Sequence, residues 1–434
     1  MAHDAHIPRR LLSPSGPDAI ADLWRLVLSR TALLFSGFTI AQACSFFRNA
    51  IFAHTLSMGN FGIAATILVM LQLVEMLSDL SADKLIIQAD DGGTTSVVGT
   101  VQTFQLMRGV VACLVIVAVA QPVAEFFRIP EATGALMAIG LAPLLRGLLN
   151  LDMRRAQRSL DNGPFLLVEV VPQIVALVAT PIVLAWNATF EAVVIVALIQ
   201  SATAVLVSHL AAGERMQLRF DRGVAIRIIS FSWPLWLSAL PLVAVYQGDR
   251  ILIGRYLGMD AIAAFSAAFM LTMVPGLLVA KTANALLLPL LAEVKSKPAV
   301  LRQRLRLLLI GTGVLALVYV VAFAVFGGPL LALGFGPSYG GLGLLVALLA
   351  VIWGLRMVQV VPNLALMALA RNEVLLAAGM LRALGLLPVY LVVTMGGSLV
   401  AVVVVGFLAE LLASAYLAIA VSLALSDAER RRGS

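Results

Sequence analysis

Residues 344–355 read LLVALLAVIWGL, and residues 136–150 read LMAIGLAPLLRGLLN. Neither stretch alternates apolar with polar positions. Each is a continuous apolar run whose only charge is an arginine: Arg146 inside the second, Arg356 directly after the first. A membrane β-strand would show about ten residues of alternating polarity. A run of roughly twenty apolar residues instead suits a helix, which satisfies its own backbone in lipid. These two stretches therefore decide the fold: an all-α polytopic membrane protein.

The same texture extends almost end to end. Of 434 residues, 61% are hydrophobic and 12% are charged, where an ordinary globular domain has about 45–50% and about 25%. Apolar runs and polar breaks place about twelve spans near 31–56, 60–84, 102–126, 132–152, 164–186, 190–212, 228–254, 261–289, 304–328, 340–368, 373–394 and 398–424. Basic clusters recur on one side only. They are Arg154, Arg155 and Arg158; Arg215, Arg219, Arg222 and Arg227; Lys295, Lys297, Arg302, Arg304 and Arg306; and Arg430 to Arg432, on the side of Arg9 and Arg10. Intervening loops such as WNATFE, GFGPSYGG and TMGGS carry almost no Lys or Arg. Basic loops stay in the cytoplasm, so both termini are expected there. The N-terminal segment lacks the early apolar core of a cleavable signal and reads as a lead-in, with an interfacial helix from about Pro17. The net charge of +7 suits loops resting on anionic lipid and does not indicate nucleic acid.

The expected organisation is a cytoplasmic segment over 1–30, an N-lobe over 31–213, a basic linker over 214–227, a C-lobe over 228–424 and a tail over 425–434. An internal repeat supports two lobes of six spans. FFRNAIFAHTLSMGNFGIAA aligns without a gap on QGDRILIGRYLGMDAIAAF, placing Leu56 on Leu257, Met58 on Met259 and Arg48 on Asp249. Parallel halves of this kind enclose a cavity between them. No loop is long enough for an independent extramembrane active site, so a membrane enzyme such as a polymerase or ligase is disfavoured and function is expected among the helices.

Ionisable groups at span depth are costly and usually face a bundle interior or an aqueous cavity. Gln72, Glu75, Asp79 and Asp83 recur at three- and four-residue steps, which puts them on one helical face. Glu75 lies about 20 Å along the helix from Phe61, too deep for a surface group. Arg48, Arg146, Arg250, Lys281, Arg356 and Arg382 supply the opposite charge; each either snorkels, pairs with an acid for packing, or lines a cationic cavity. Guanidinium forks match phosphate oxygens, so a cavity of this kind suits an anion. Arg48, Arg250, Lys281 and Arg356 are the candidate substrate-binding residues. Glu75, Asp79 and Asp249 are the candidate coupling or gating residues. Glu169 and Glu410 are further acids at span depth, each able to carry a proton or to hydrogen-bond backbone. Cys44 and Cys113 fall in apolar runs and read as small buried hydrophobes. There is no Walker A sequence, and His3, His6, His54 and His209 show no metal-ligand spacing; no metal or cofactor is expected.

The residues SFFRNAIFAHTLSMGNFGIAATILVMLQLVEMLSDLSADKLIIQ resemble the start of the polysaccharide flippase family, of the multidrug/oligosaccharidyl-lipid/polysaccharide exporter superfamily. Arg48, Leu56, Phe61, Gly62, Asp79, Ile86, Ile87 and Gln88 carry the likeness. Asp249-Arg250, Ile253-Gly254 and Leu257-Gly258 resemble its D-R-x-x-I-G-x-x-L-G signature, and GFGPSYGG adds a weaker match. The resemblance implies two six-helix lobes around a central cavity, working by alternating access and coupled to an ion gradient. It implies a flippase that moves undecaprenyl-diphosphate-linked oligosaccharide for O-antigen, capsule or exopolysaccharide assembly. Its expected partners are that lipid-linked substrate, membrane lipids, and the polysaccharide polymerase and export machinery. The related lipid II flippases have fourteen spans, against about twelve here. The multidrug and toxic compound extrusion family has twelve but favours an acidic cavity. A cation-coupled small-molecule exporter is therefore the alternative, motivated by the acidic face of the second span.

Overall fold

The computed structural model describes residues 17–294 and 298–433, so Arg9, Arg10, Lys295 and Lys297 of the orientation argument lie outside the described residues. Every regular element among the described residues is helical. The lead-in and the first span form one unbroken helix, α1 (Pro17–Thr55). The chain then turns at Ser57, whose hydroxyl accepts the Asn60 N–H at 3.3 Å and caps α2 (Met58–Ser78).

The second span is shorter than the expected 60–84. It stops at Asp79, which has extended backbone and whose carboxylate accepts the Ser81 N–H at 2.9 Å. Short polar side chains that bond to nearby backbone compete with helix in this way. A separate helix, α3 (Asp83–Gln88), follows. Asp79 and Asp83 therefore do not continue the face that carries Glu75.

The N-lobe goes on with α4 (Thr95–Phe127), then a broken pass made of α5 (Thr133–Ile139), α6 (Leu141–Gly147) and α7 (Asp152–Arg158), with a 49° bend before α7. It closes with α8 (Gly163–Trp186) and α9 (Glu191–Leu210). The C-lobe comprises α10 (Arg222–Tyr256), α11 (Met259–Glu293), α12 (Pro298–Phe335), α13 (Gly343–Ala368), α14 (Asn372–Leu384) running into α15 (Leu386–Thr394), and α16 (Leu399–Gly433). Among the described residues, nine segments are long and apolar enough to cross a membrane, ten with the bent pass. The long, more charged α1 and α10 pack alongside them.

The repeated corners meet on the face opposite the basic loops. At the α10–α11 corner Gly258 takes φ +90°, a conformation that side chains rarely adopt, where the aligned Ser57 uses a cap instead. On α2, a Cβ at Gly62 would lie 2.0 Å from the Met259 carbonyl oxygen, so backbone touches backbone between the lobes. Leu56 and Phe61 of one corner share a core with Ile253, Ile262 and Phe265 of the other. GFGPSYGG does not hang free as a loop. It forms a 3-10 turn over Pro337–Leu342 and drives Tyr339, 1% exposed, into that same core. The lobes are closed against each other on this face.

On the basic face the first half of α10 is tied to the N-lobe. Arg227 forks onto Asp91 at 2.9 and 3.0 Å, and the Trp236 indole donates to the Leu77 carbonyl at 2.6 Å. The preceding linker lies along α4: Thr103 donates to the Arg219 carbonyl at 2.7 Å and Ser96 to Asp221 at 3.3 Å. The hydrogen bond from Arg227 holds the Asp91 carboxyl below its ordinary range, and the Val224 and Gly223 N–H groups do the same for Asp221.

Candidate functional site

The C-lobe gathers its charges around one carboxylate. Glu410 on α16 is 3% exposed. Its Oε2 accepts Arg356 Nε at 3.0 Å and Nη2 at 2.9 Å, from α13. Its Oε1 accepts Arg382 Nε at 2.9 Å, from α14, and Gln359 Nε2 at 2.9 Å. Gln359 also accepts from Arg382 and donates to Ser414, which bonds back to the Glu410 carbonyl at 2.7 Å. Arg356 and Gln359 lie three residues apart on α13 and so share a helix face. The Arg356 guanidinium also lies over Trp353, 4.9 Å from the ring centroid.

Two neighbours on α10 complete this group. Asp249 lies close enough to Arg356 and Arg250 to interact with both charges. Arg250, its chain neighbour, points elsewhere and stacks on Phe269 at 4.8 Å. The adjacent pair thus presents its charges in different directions, as consecutive helical positions must. In all, the C-lobe interior holds three arginines (250, 356, 382) against two carboxylates (249, 410), a surplus of one positive charge.

The N-lobe repeats the pattern with fewer parts. Arg146, in the broken pass, binds both oxygens of Glu75 at 2.8 Å. Arg48 on α1 reaches two neutral amides, Gln173 Oε1 at 3.1 Å and Gln200 Oε1 at 2.6 Å, on α8 and α9. It also lies in the electrostatic field of Arg146. Among these contacting groups two arginines face one carboxylate; Glu169, exposed on α8 four residues before Gln173, lies outside the group. Between the lobes Gln247 donates to Gln72 at 2.9 Å.

Two expected site residues sit apart from these groups. Asp79 has half its side chain exposed and pairs with Arg108 at 3.3 Å, beyond the end of α2 and outside any buried cluster. Lys281 is exposed on α11, and its ammonium lies 4.4 Å from the centroid of Phe38 on α1, at the seam between the lobes. The sequence reading leaves Glu410 and Arg382 as lone charges. Only the tertiary fold shows that they share one site; the three-residue spacing of Arg356 and Gln359 is a signal for a polar face on α13 that the sequence reading did not use.

Beside the Arg356–Glu410–Arg382 group lies a cavity of about 380 Å³, bounded by α10, α11, α13 and α14, with Tyr246, Trp353 and Asn363 on its wall. Its lining pairs guanidinium and amide donors with aromatic rings, which suits an anionic or sugar-bearing ligand better than a cation. Among the described residues no three His, Cys, Asp or Glu side chains converge to hold a metal ion.

A family model described as "Polysaccharide biosynthesis protein" matches residues 51–342. The amylovoran biosynthesis protein AmsL of Erwinia amylovora is 25% identical over 266 residues, 59% of this chain and 67% of that protein. Among solved structures, the lipid II flippase MurJ in an inward closed conformation superposes with a TM-score of 0.73 at 12% identity, covering 90% of this chain and 87% of that one. An inward-facing multidrug resistance MATE family transporter gives 0.72 at 14% identity, covering 90% and 96%. At these identities the structural likenesses speak for the fold, which is that of transporters and flippases.

Proposed function

This chain belongs to the polysaccharide biosynthesis protein family, and from that premise we propose that it is a flippase for diphosphate-linked oligosaccharide, working by alternating access between its two lobes. The observation that carries the proposal is the charge count inside the helices. In each cluster one guanidinium is left without a carboxylate of its own: Arg48 is held by neutral amides, and Arg356 and Arg382 share Glu410. A diphosphate that bridges lipid and sugar bears two ionised oxygens, so two surplus guanidiniums match it in sign and number. Arg48, whose partners are both neutral, and Arg356, whose carboxylate is shared, are the proposed substrate contacts; Arg250 belongs to the same interior, and Lys281 stands at the seam between the lobes, apart from it. Glu75 and Asp249 are the proposed coupling or gating groups. Asp79, paired at the surface, contributes only to the docking of α4 on the end of α2.

The substrate reaches this interior from the basic face, because the opposite face is shut by the Gly62–Met259 contact and the Tyr339 core. We place the basic face in the cytoplasm of a bacterial inner membrane on the positive-inside rule, with polymerase and export machinery acting on the far side. A cation-coupled exporter is the competing reading, but a cationic cargo would meet a surplus of its own charge in both lobes.

The test is mass spectrometry of lipid-linked glycans from a strain lacking this gene, beside its parent. The reading predicts build-up of a complete diphosphate-linked repeat unit with loss of surface polysaccharide. Unchanged intermediates and unchanged polysaccharide, in a background with no second flippase, would overturn it.

A further inference from the structure

A second groove lies on the far side of α13 from the charged cavity. Gln359 and Asn363 face the cavity, whereas Val361 and Pro362 face this groove, which has a volume of about 840 Å³ between α12, α13 and α16. Its walls are apolar: Leu309 and Ile310 from α12, and Ala418 from α16. At its basic-face end stand Arg302 and Arg306, both exposed. They are four residues apart on α12 and so lie one above the other on one helix face. Arg306 has no ion-pair or hydrogen-bond partner among the described residues. α12 is the most apolar of the candidate spans and the least buried, with 11% of its window inside the protein. Its outer face is therefore a lipid face.

We propose that this groove is a binding site for an anionic phospholipid of the leaflet on the basic face. The two arginines clamp the headgroup phosphate and one acyl chain lies against Leu309, Ile310 and Ala418. Charge complementarity selects the occupant. Basic pockets between transmembrane helices recognise lipid phosphates, and a zwitterionic headgroup would set its own ammonium against the arginines. Size points the same way. From Arg302 to Ile310 the groove runs about 12 Å along α12, within a single leaflet of a hydrocarbon core about 30 Å thick and suited to an acyl chain rather than to a long polyprenyl tail. The lipid braces α13 from behind, at the level where its other face holds Gln359 against Glu410.

The test uses the purified full chain in detergent, titrated with phosphatidylglycerol or phosphatidylcholine and read by native mass spectrometry and by melting temperature. Phosphatidylglycerol should bind and raise the melting temperature, with affinity falling roughly fivefold for each of Arg302→Gln and Arg306→Gln. Phosphatidylcholine should bind no better to the wild type than to the double variant. Ala418→Trp, which fills the groove and leaves both arginines in place, should also remove the bound lipid. Equal binding of the two phospholipids to the wild type, or undiminished phosphatidylglycerol binding in both the double arginine variant and Ala418→Trp, would overturn the proposal. So would displacement of phosphatidylglycerol by an equimolar amount of undecaprenyl phosphate, which would make the groove a seat for the carrier lipid.

Discussion

Replacing Glu410 with alanine isolates what the C-lobe cluster does. The substitution removes four hydrogen bonds to an ionised acceptor, two from Arg356, one from Arg382 and one from Gln359. At about 1.5–3 kcal/mol each they would sum to roughly 6–12 kcal/mol. That sum is an upper bound, because the bonds share one carboxylate and the cost of desolvating it is left out. Breaking a buried ion pair by deleting one partner costs about 3–5 kcal/mol, and this is the expected destabilisation. It arises chiefly from the two guanidiniums left without a counter-charge, so the apolar triple variant Arg356→Met, Arg382→Met, Glu410→Leu should recover most of the lost stability. The triple variant should nevertheless export nothing, since it removes the surplus charge. Fluorescence-detected size exclusion after heating reads the stability, and surface polysaccharide reads the export. Two results would refute this reasoning: a Glu410→Ala protein that melts with the wild type, or a stable triple variant that exports normally.

Other consequences can be checked separately. Arg48→Ala should abolish polysaccharide export at unchanged protein level, because its partners are neutral amides and its removal strands no acid; normal output would remove Arg48 from the substrate path. Gly62→Leu should force the lobes apart at Met259, so a cysteine placed at buried Ala263 should react with an impermeant maleimide much faster than in the Gly62 parent; equal labelling would mean that this contact does not seal the face. Asp91→Asn should lower the melting temperature at neutral pH. Because Arg227 depresses the Asp91 pKa, the tie is intact above the ordinary carboxylate value and is lost only as pH falls through the depressed one. The difference between the two proteins should thus be constant from about pH 8 to about pH 5 and vanish only below about pH 4; a difference already fading near pH 6 would contradict this sign.

The helices and their two-lobed order were legible because lipid imposes a long, continuous apolar signal that needs no tertiary information. The repeat was legible at its corners, where Leu56 and Leu257 do the same job in two lobes. What escaped depended on short-range polar chemistry. Asp79 fits the spacing of a buried stripe, yet its carboxylate accepts the Ser81 N–H and the helix ends at Ser78, short of the expected end. Tyr339 sits in a glycine-rich run that has every mark of a surface loop, and only the meeting of two lobes buries it. Glu410 and Arg382 are 28 residues apart in the chain and on different helices, so no periodicity within either helix could pair them. Spacing shows which face of a helix is polar; it does not show which other helix that face meets.

The depths of the charges bear on mechanism more directly than their number. At 1.5 Å per residue, Arg48 lies about 10 Å from the opposite-face end of α1. Arg356 and Glu410 lie about 17–20 Å along α13 and α16 from that face, and Glu75, with Arg146, about 25 Å along α2. These arginines are therefore not collected at one point but lie at different depths, alternating between lobes. The amides of Gln173 and Gln200 hold the Arg48 guanidinium without neutralising it, whereas Arg146, Arg356 and Arg382 are held by carboxylates. Glu75 of α2 and Asp79 just past its end, the acids that motivated the drug-export reading, are each already paired with an arginine.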